Sequence, residues 1–428
     1  MKTIKTRLVC AAAILSLLFP LSLSATGVSR EPLSIGVLAP SSELVKGGLR
    51  GQRIVFSPTD FDAALGTHGV RAIEITSLPK PEEGRLTLGE AEVQKGQRIT
   101  RRELSSLTFT PAVPTLVESS FNFKAEGVGI GESRCILRFA EQMNYAPSVT
   151  HLTSALLSAS TQTGLSASGR LAAYDPEGDA LTYLITAYPQ HGALLSDPET
   201  GLYRYLPSDG YTGEDSFSYV ARDYYGNYSH EATVSLTVSK RVCDITYADM
   251  EQDECYAAAL LLESKEIMQS ELIGDERFFH PSREVKLTDF LVAVMKAAGL
   301  RPLSRETFFE NNDEIPRAQR GYIARAQREG YVVGELSKEG LVLDVEKTVT
   351  RAEAAVIVSK ILDSTSEPST LSVFADADAI PARAEAAVYT AYELGLLSLT
   401  ESGSIDATAN LTRGDAAEML AALMAHLS

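Results

Sequence analysis

Residues 348–362 read TVTRAEAAVIVSKIL, and residues 411–420 read LTRGDAAEML. Both stretches write an apolar residue, Thr, Arg, a small residue, an acid and two alanines ahead of an apolar run. A Thr followed three residues later by an acid, just before apolar residues spaced three and four apart, is a capping box. Thr350 is expected to accept from the amide of Glu353 while Glu353 reaches back to the amide of Thr350, and Thr412 and Asp415 can repeat this with a shorter acid. Behind the first cap, Ala354, Ile357, Val358, Ile361 and Leu362 form one apolar stripe; behind the second, Ala416, Leu420, Leu423 and Met424 form another. The spacing therefore predicts two amphipathic helices that begin with one signal. Capping has no use for Arg351 or Arg413, and the helix macrodipole mildly disfavours a cation in the first turn.

A degraded copy, VKLTDFLVAVMKAAG, begins at Val285, and the copies at Val285, Val349 and Leu411 lie 64 and 62 residues apart. Three units of about sixty residues thus fill the C-terminal half. Ahead of each capped helix stands a second shared piece. It is clearest as Phe374-Ala-Asp376, then Pro381 and a helix ending at Gly395-Leu396. The first unit offers Tyr247-Ala-Asp249 and Phe279-His-Pro281, and the second offers Asp313, Ile323 and Gly330-Tyr331.

Upstream, short alternating apolar runs are separated by Gly, Pro, Asp and Asn. Leu181, Tyr183 and Ile185 alternate, as do Phe217, Tyr219 and Ala221, and then Val234, Leu236 and Val238. A period of two between turn clusters marks half-buried antiparallel strands. Ser120-Phe121 matches Ser216-Phe217 at an offset of 96, and Phe109-Thr-Pro111 matches Tyr205-Leu-Pro207 at the same offset. Two tandem β modules follow, over residues 31–143 and 146–240.

The N-terminal 25 residues carry Lys2, Lys5 and Arg7, an apolar run, and small residues up to Ala25, the pattern of a secretory signal peptide. Cys10 opens the apolar run instead of following it, which argues against a lipoprotein anchor. No later segment approaches the ~18 uninterrupted apolar residues of a membrane span. The net charge of −17 becomes −20 once the three basic residues leave, which disfavours nucleic acid and acidic lipid as partners. Such acidity serves solubility as well as cation binding. Export and close spacing suggest a disulfide between Cys243 and Cys255, against the alternative of two buried thiols, while Cys135 reads as a buried thiol in a strand. The carboxylates of Asp175, Glu177 and Asp179 beside a Gly turn, with Asp223 from another strand, can supply the oxygen ligands calcium takes. The same DPEGD stretch is also a good turn with no ion at all. Calcium is the one cofactor in question. The histidines lack zinc-site spacing, and neither a phosphate loop nor a Gly-x-Ser-x-Gly elbow is present, so an enzyme is not expected.

Aromatic-x-Asp, a helix closed by Gly and an apolar residue, and apolar-Thr-Arg-Ala-Glu together resemble the bacterial S-layer homology domain over residues 243–428, as repeats at 243–300, 311–363 and 372–428. The resemblance implies an all-α pseudo-threefold helical bundle whose grooves hold secondary cell-wall polysaccharide, often with a pyruvylated terminal sugar. By the same resemblance Arg351 and Arg413 are ligand contacts, accompanied by Asp249, Asp313 and Asp376. This chain departs from the family at Leu287, where Arg should stand, and in having no Trp, with Ala318 and Arg383 at about the family's Trp positions. The strand-rich half resembles bacterial cadherin-like or immunoglobulin-like repeats, most clearly in DPEGD and RDYYGN. Together these readings give a multidomain chain: two all-β sandwiches followed by the helical bundle, exported and held at the cell wall, with surface-layer neighbours as further candidate partners. An adhesin or glycan-binding protein whose β modules recognise an external partner is the alternative.

Overall fold

The computed structural model describes residues 43–428, except 67–68, 128–130, 251–252, 305–306, 339, 365–373, 401 and 428. The expected signal peptide lies outside the described residues. In the first module, strand Glu43–Leu49 pairs in parallel with Glu132–Ala140, which is followed across the sheet by Glu118–Glu126, Ala72–Ser77 and Arg98–Thr100. A second sheet orders Ile54–Val55, Leu107–Pro111, Gly84–Leu88 and Ala91–Glu92. Phe56, Phe61, Phe109, Phe121, Phe123 and Phe139 fill one core with Cys135 among them. The module also carries a short helix, α1 (Pro58–Ala64), which alternation alone does not predict.

The second module repeats this strand order, among the described residues without counterparts of Arg98–Thr100 and Ala91–Glu92. Ser158–Gln162 pairs in parallel with Ala232–Ser239, followed by Gly213–Arg222 and Thr182–Ala187, while Ala167–Arg170, Leu202–Pro207 and Gly192–Ser196 form the other sheet. Strand Ala232–Ser239 shows the physical basis: Ala232, Val234, Leu236 and Val238 are buried and the residues between them exposed, the pleat sending alternate side chains to opposite faces. The loop Tyr224-Tyr225-Gly226 packs on the first module. Arg138 donates to the Tyr224 carbonyl at 2.5 Å and lies 3.8 Å from the centre of its ring. Gly226, at φ 91°, faces the Val45 carbonyl so closely that a side chain would clash.

Among the described residues six helices follow: α2 (Tyr256–Ser264), α3 (Leu287–Ala297), α4 (Arg317–Arg328), α5 (Arg351–Leu362), α6 (Glu385–Glu393) and α7 (Arg413–Leu427). This half is not purely α-helical: hairpins Glu271–Ile273/Glu276–Phe278 and Glu335–Leu336/Leu341–Val342 separate the helices of the first two units. The three segments that precede α3, α5 and α7 close a ring of hydrogen bonds. Val285 donates to the Leu411 carbonyl at 2.9 Å, Leu411 to Val349 at 2.8 Å, and Val349 back to Val285 at 3.0 Å. Each unit therefore braces the next, and all three share one core. The second β module docks on this half: Gln162 donates to the Ala257 carbonyl at 3.1 Å, and Thr153 and Arg170 donate to the carbonyls of Glu393 and Thr400. Among the described residues no helix is long and apolar enough to cross a membrane.

Candidate functional site

The ring sets the first residue of each capped helix at a seam between two units. Thr350 Oγ1 accepts from the Glu353 amide at 3.2 Å, and Glu353 Oε2 accepts from the Thr350 amide at 3.1 Å. Asp415 Oδ2 likewise takes the Thr412 amide at 3.1 Å, and Thr412 Oγ1 accepts the Asp415 amide at 3.1 Å. With the helix starts fixed in this way, each Arg points into the neighbouring unit. Arg351 donates from Nε to the Ile405 carbonyl at 2.9 Å and from Nη2 to the Ser398 carbonyl at 2.6 Å. Its Nη1 meets Asp415 Oδ1 at 2.5 Å, and the residue is 6% exposed. All three guanidinium nitrogens are thus engaged within the protein, so Arg351, expected as a ligand contact, is instead a buried clamp between the second and third units.

Arg413 makes the matching bonds to the first unit, from Nε to the Phe279 carbonyl at 2.8 Å and from Nη2 to the Gln269 carbonyl at 2.9 Å, and it sits 4.7 Å from the centre of the Phe279 ring. Its Nη1 has no hydrogen-bond partner among the described residues. The side chain lines a cleft of about 290 Å³ with Met268, Gln269, Asp289, Phe290 and Gln319. Burial, and then the like charge of Arg283, push the guanidinium below its usual range against the pull of Asp289, Glu263 and Asp249. The remaining seam presents Leu287, 8% exposed, where the other two present Arg.

Two of the expected acids staple loops. Asp249 accepts the amides of Phe279 at 2.9 Å and His280 at 2.6 Å, and Asp376 accepts those of Ile405 at 2.7 Å and Asp406 at 2.9 Å. His280 and Asp406 both hold left-handed backbone, at φ 58° and 48°, and the carboxylate clasps that turn. The carbonyls of Phe279 and Ile405, which receive Arg413 and Arg351, are positioned by these staples. Asp313 is not the third member: it is fully exposed and faces only Arg320, at 3.4 Å. Asn311 takes the role, with Oδ1 accepting the Leu343 amide at 3.0 Å and Nδ2 donating to the Leu343 carbonyl at 2.8 Å. The signal was Phe309-Glu-Asn311, an aromatic-x-Asn in place of aromatic-x-Asp.

In the second β module, ligand oxygens of Asp175, Asp179 and Asp223 gather within 4.8 Å of one another. Asp175 and Asp223 are 5% and 2% exposed. Oδ2 of Asp175 and Oδ2 of Asp179 are buried with no hydrogen-bond partner, whereas Asp223 is served by Asn144 and Asn227. Burial, then the neighbouring acids, raise the carboxyls of Asp175 and Asp179 above the ordinary range. Oδ1 of Asp175 accepts the amides of Glu177 at 3.1 Å and Asp179 at 2.9 Å, which is the turn the DPEGD stretch offers, and the two orphaned oxygens beside a third carboxylate are of the kind a hard cation takes. Glu177 is not brought into the group; its Oε2 accepts the Tyr145 amide at 3.0 Å. The expected disulfide is not formed either: Cys243 and Cys255 are free thiols, and Cys255 is buried.

Residues 144–240 match the bacterial cadherin-like domain family, and residues 373–417 match the S-layer homology domain family. No curated protein matches the chain. Among solved structures, the chain resembles Drosophila N-cadherin EC1-3 at 16% identity over 46% of this chain and 64% of that one, with a TM-score of 0.22. It also resembles a nucleoside hydrolase-related protein from Saccharophagus degradans at 16% identity over 24% of this chain and 28% of that one, with a TM-score of 0.19. An endo-fucoidan hydrolase of glycoside hydrolase family 107 overlaps at 18% identity over 39% of this chain and 23% of that one, with a TM-score of 0.18. The chain thus spans less than two thirds of the length of each of these three proteins. What the family matches establish is that the chain carries a bacterial cadherin-like module over 144–240 and, over 373–417, an S-layer homology module, a type of module that binds cell-wall polysaccharide.

Proposed function

We propose that this is an exported, non-catalytic cell-surface protein, held non-covalently to secondary cell-wall polysaccharide by three S-layer homology repeats in a pseudo-threefold bundle and displaying two β-sandwich modules. The observation that carries the reading is Arg413: a guanidinium fixed by two backbone carbonyls, with its Nη1 unpartnered, in the wall of a cleft. A planar guanidinium can make charge-assisted bonds to a carboxylate, which a pyruvylated sugar carries. Arg413 binds and orients that group, Phe279 and Gln269 hold Arg413 in place, and the ring of backbone bonds keeps the seam rigid. In the same reading Asp175, Asp179 and Asp223 would hold calcium, supplying oxygen ligands where the second module meets the first through the Asp223–Asn227 loop. Sedimentation of the full chain with purified walls, before and after extraction of the polysaccharide, tests the anchoring. Retention on intact walls and loss on extracted walls is expected, and equal retention on both would refute it.

A further inference from the structure

The seams differ in how their opening residue is used, and the difference traces to one position on the neighbouring helix. Asp415 is the third residue of α7, and its Oδ1 takes Arg351 Nη1 at 2.5 Å. Asp289 is the third residue of α3 and stands in the same relation to Arg413. Its Oδ1, however, accepts Gln319 Nε2 at 2.7 Å. A carboxylate only accepts, so the Gln319 amide must present its NH2 to Asp289.

Helix α4, which bears Gln319, packs on α3 as α2 packs on α7. The bonds from Tyr331 to the Ala326 carbonyl and from Ile267 to the Leu262 carbonyl close the two helices identically at an offset of 64 residues. At that offset Cys255 stands where Gln319 does, and its sulfur lies beside Gly414 at the start of α7. A thiol is a weak donor and leaves Asp415 free for Arg351, whereas a carboxamide NH2 is a strong donor and draws Asp289 aside.

We propose that Gln319 is the positioning residue that keeps one seam open: by holding Asp289 it leaves Arg413 Nη1 for an outside anion, so each chain takes one carboxylate-bearing glycan terminus. The chain's own Asp415 fills the equivalent place at Arg351, and Leu287 removes the charge from the third seam. This rests on the wall-glycan reading and adds its stoichiometry and the residue that sets it.

The test is isothermal titration of the full chain with a methyl glycoside carrying a pyruvate ketal. The unaltered chain should show one site. Gln319→Leu should free Asp289 to pair with Arg413 and weaken binding by about tenfold or more, as expected for loss of a charge-assisted contact. Adding Asp289→Asn to Gln319→Leu should restore the affinity, a rescue that mere loss of packing at Gln319 would not give. Asp415→Asn keeps a cap acceptor for Thr412 and should release Arg351, giving two sites in a chain that still melts cooperatively. Two sites in the unaltered chain, unchanged affinity in Gln319→Leu, no rescue by Asp289→Asn, or one site in folded Asp415→Asn would each overturn the inference while leaving the wall-glycan reading in place. Absence of any binding by the unaltered chain would overturn both.

Discussion

Replacing Arg351 with Ala should destabilise the helical half far more than loss of an exposed charge would. The side chain is 8% exposed, and its removal strands the carbonyls of Ile405 and Ser398 and the Oδ1 of Asp415, which is 27% exposed. Removing one partner of a buried pair costs about 3 to 5 kcal/mol. Because Asp415 reaches water, about 3 kcal/mol is the fitting figure, taken from the low end of that range. For a cooperative unit of this size each kcal/mol moves the midpoint by about 2 to 4 °C, so the helical transition should fall by roughly 6 to 12 °C. Differential scanning calorimetry of the full chain reads this directly. Arg351→Lys should recover only part of the loss, since a point charge cannot serve three acceptors set around a planar fork. A shift within about 2 °C for Arg351→Ala, the size expected for an exposed pair, would show that the clamp between units is not what Arg351 supplies.

Calcium at a hundred times its dissociation constant should stabilise the second β module by about 2.7 kcal/mol, and Asp175→Asn should abolish the response; a calorimetric transition indifferent to calcium and chelator would remove the site. In chelator, the raised carboxyls of Asp175 and Asp179 bind protons more tightly in the native than in the unfolded chain, so this module should gain stability as pH falls through their raised values towards the ordinary 3.8, and lose it as pH climbs. Added calcium should reverse that loss at neutral pH, and a stability that rises with pH in chelator would contradict the assignment. Maleimide should label Cys243 in the native protein while Cys135 and Cys255, whose thiols burial pushes up, resist until the chain unfolds. A single reactive thiol among these three after unfolding without reductant would instead reveal a disulfide.

What could be read from the sequence was local. Thr350 and Glu353 are three residues apart, so the cap needs no knowledge of the rest of the fold, and strand Ala232–Ser239 announces its buried face by alternation alone. The role of Arg351 was hidden because its partners, Ser398, Ile405 and Asp415, lie 47 to 64 residues away across a seam that only the closed ring creates. Asp415 was legible as a cap, yet it has two oxygens, and the second serves Arg351. Asn311 was missed because the staple spans 32 residues there, against 30 and 29 in the other units, which placed Asp313 nearer the expected register. In DPEGD, composition shows three acids at alternate positions but not that Glu177 accepts the Tyr145 amide while Asp175 and Asp179 are left with orphaned oxygens.

The most direct test of the account is wall retention by an Arg413→Gln variant of the full chain. A carboxamide at this position keeps polarity but loses the charge and the fork, and charge-assisted bonds of about 1.5 to 3 kcal/mol set the expected loss at roughly ten- to hundredfold in affinity. The account predicts that the variant melts as a folded protein and stays in the supernatant when purified walls are sedimented, while the unaltered chain pellets. A folded variant that pellets with the walls as completely as the unaltered chain would contradict it.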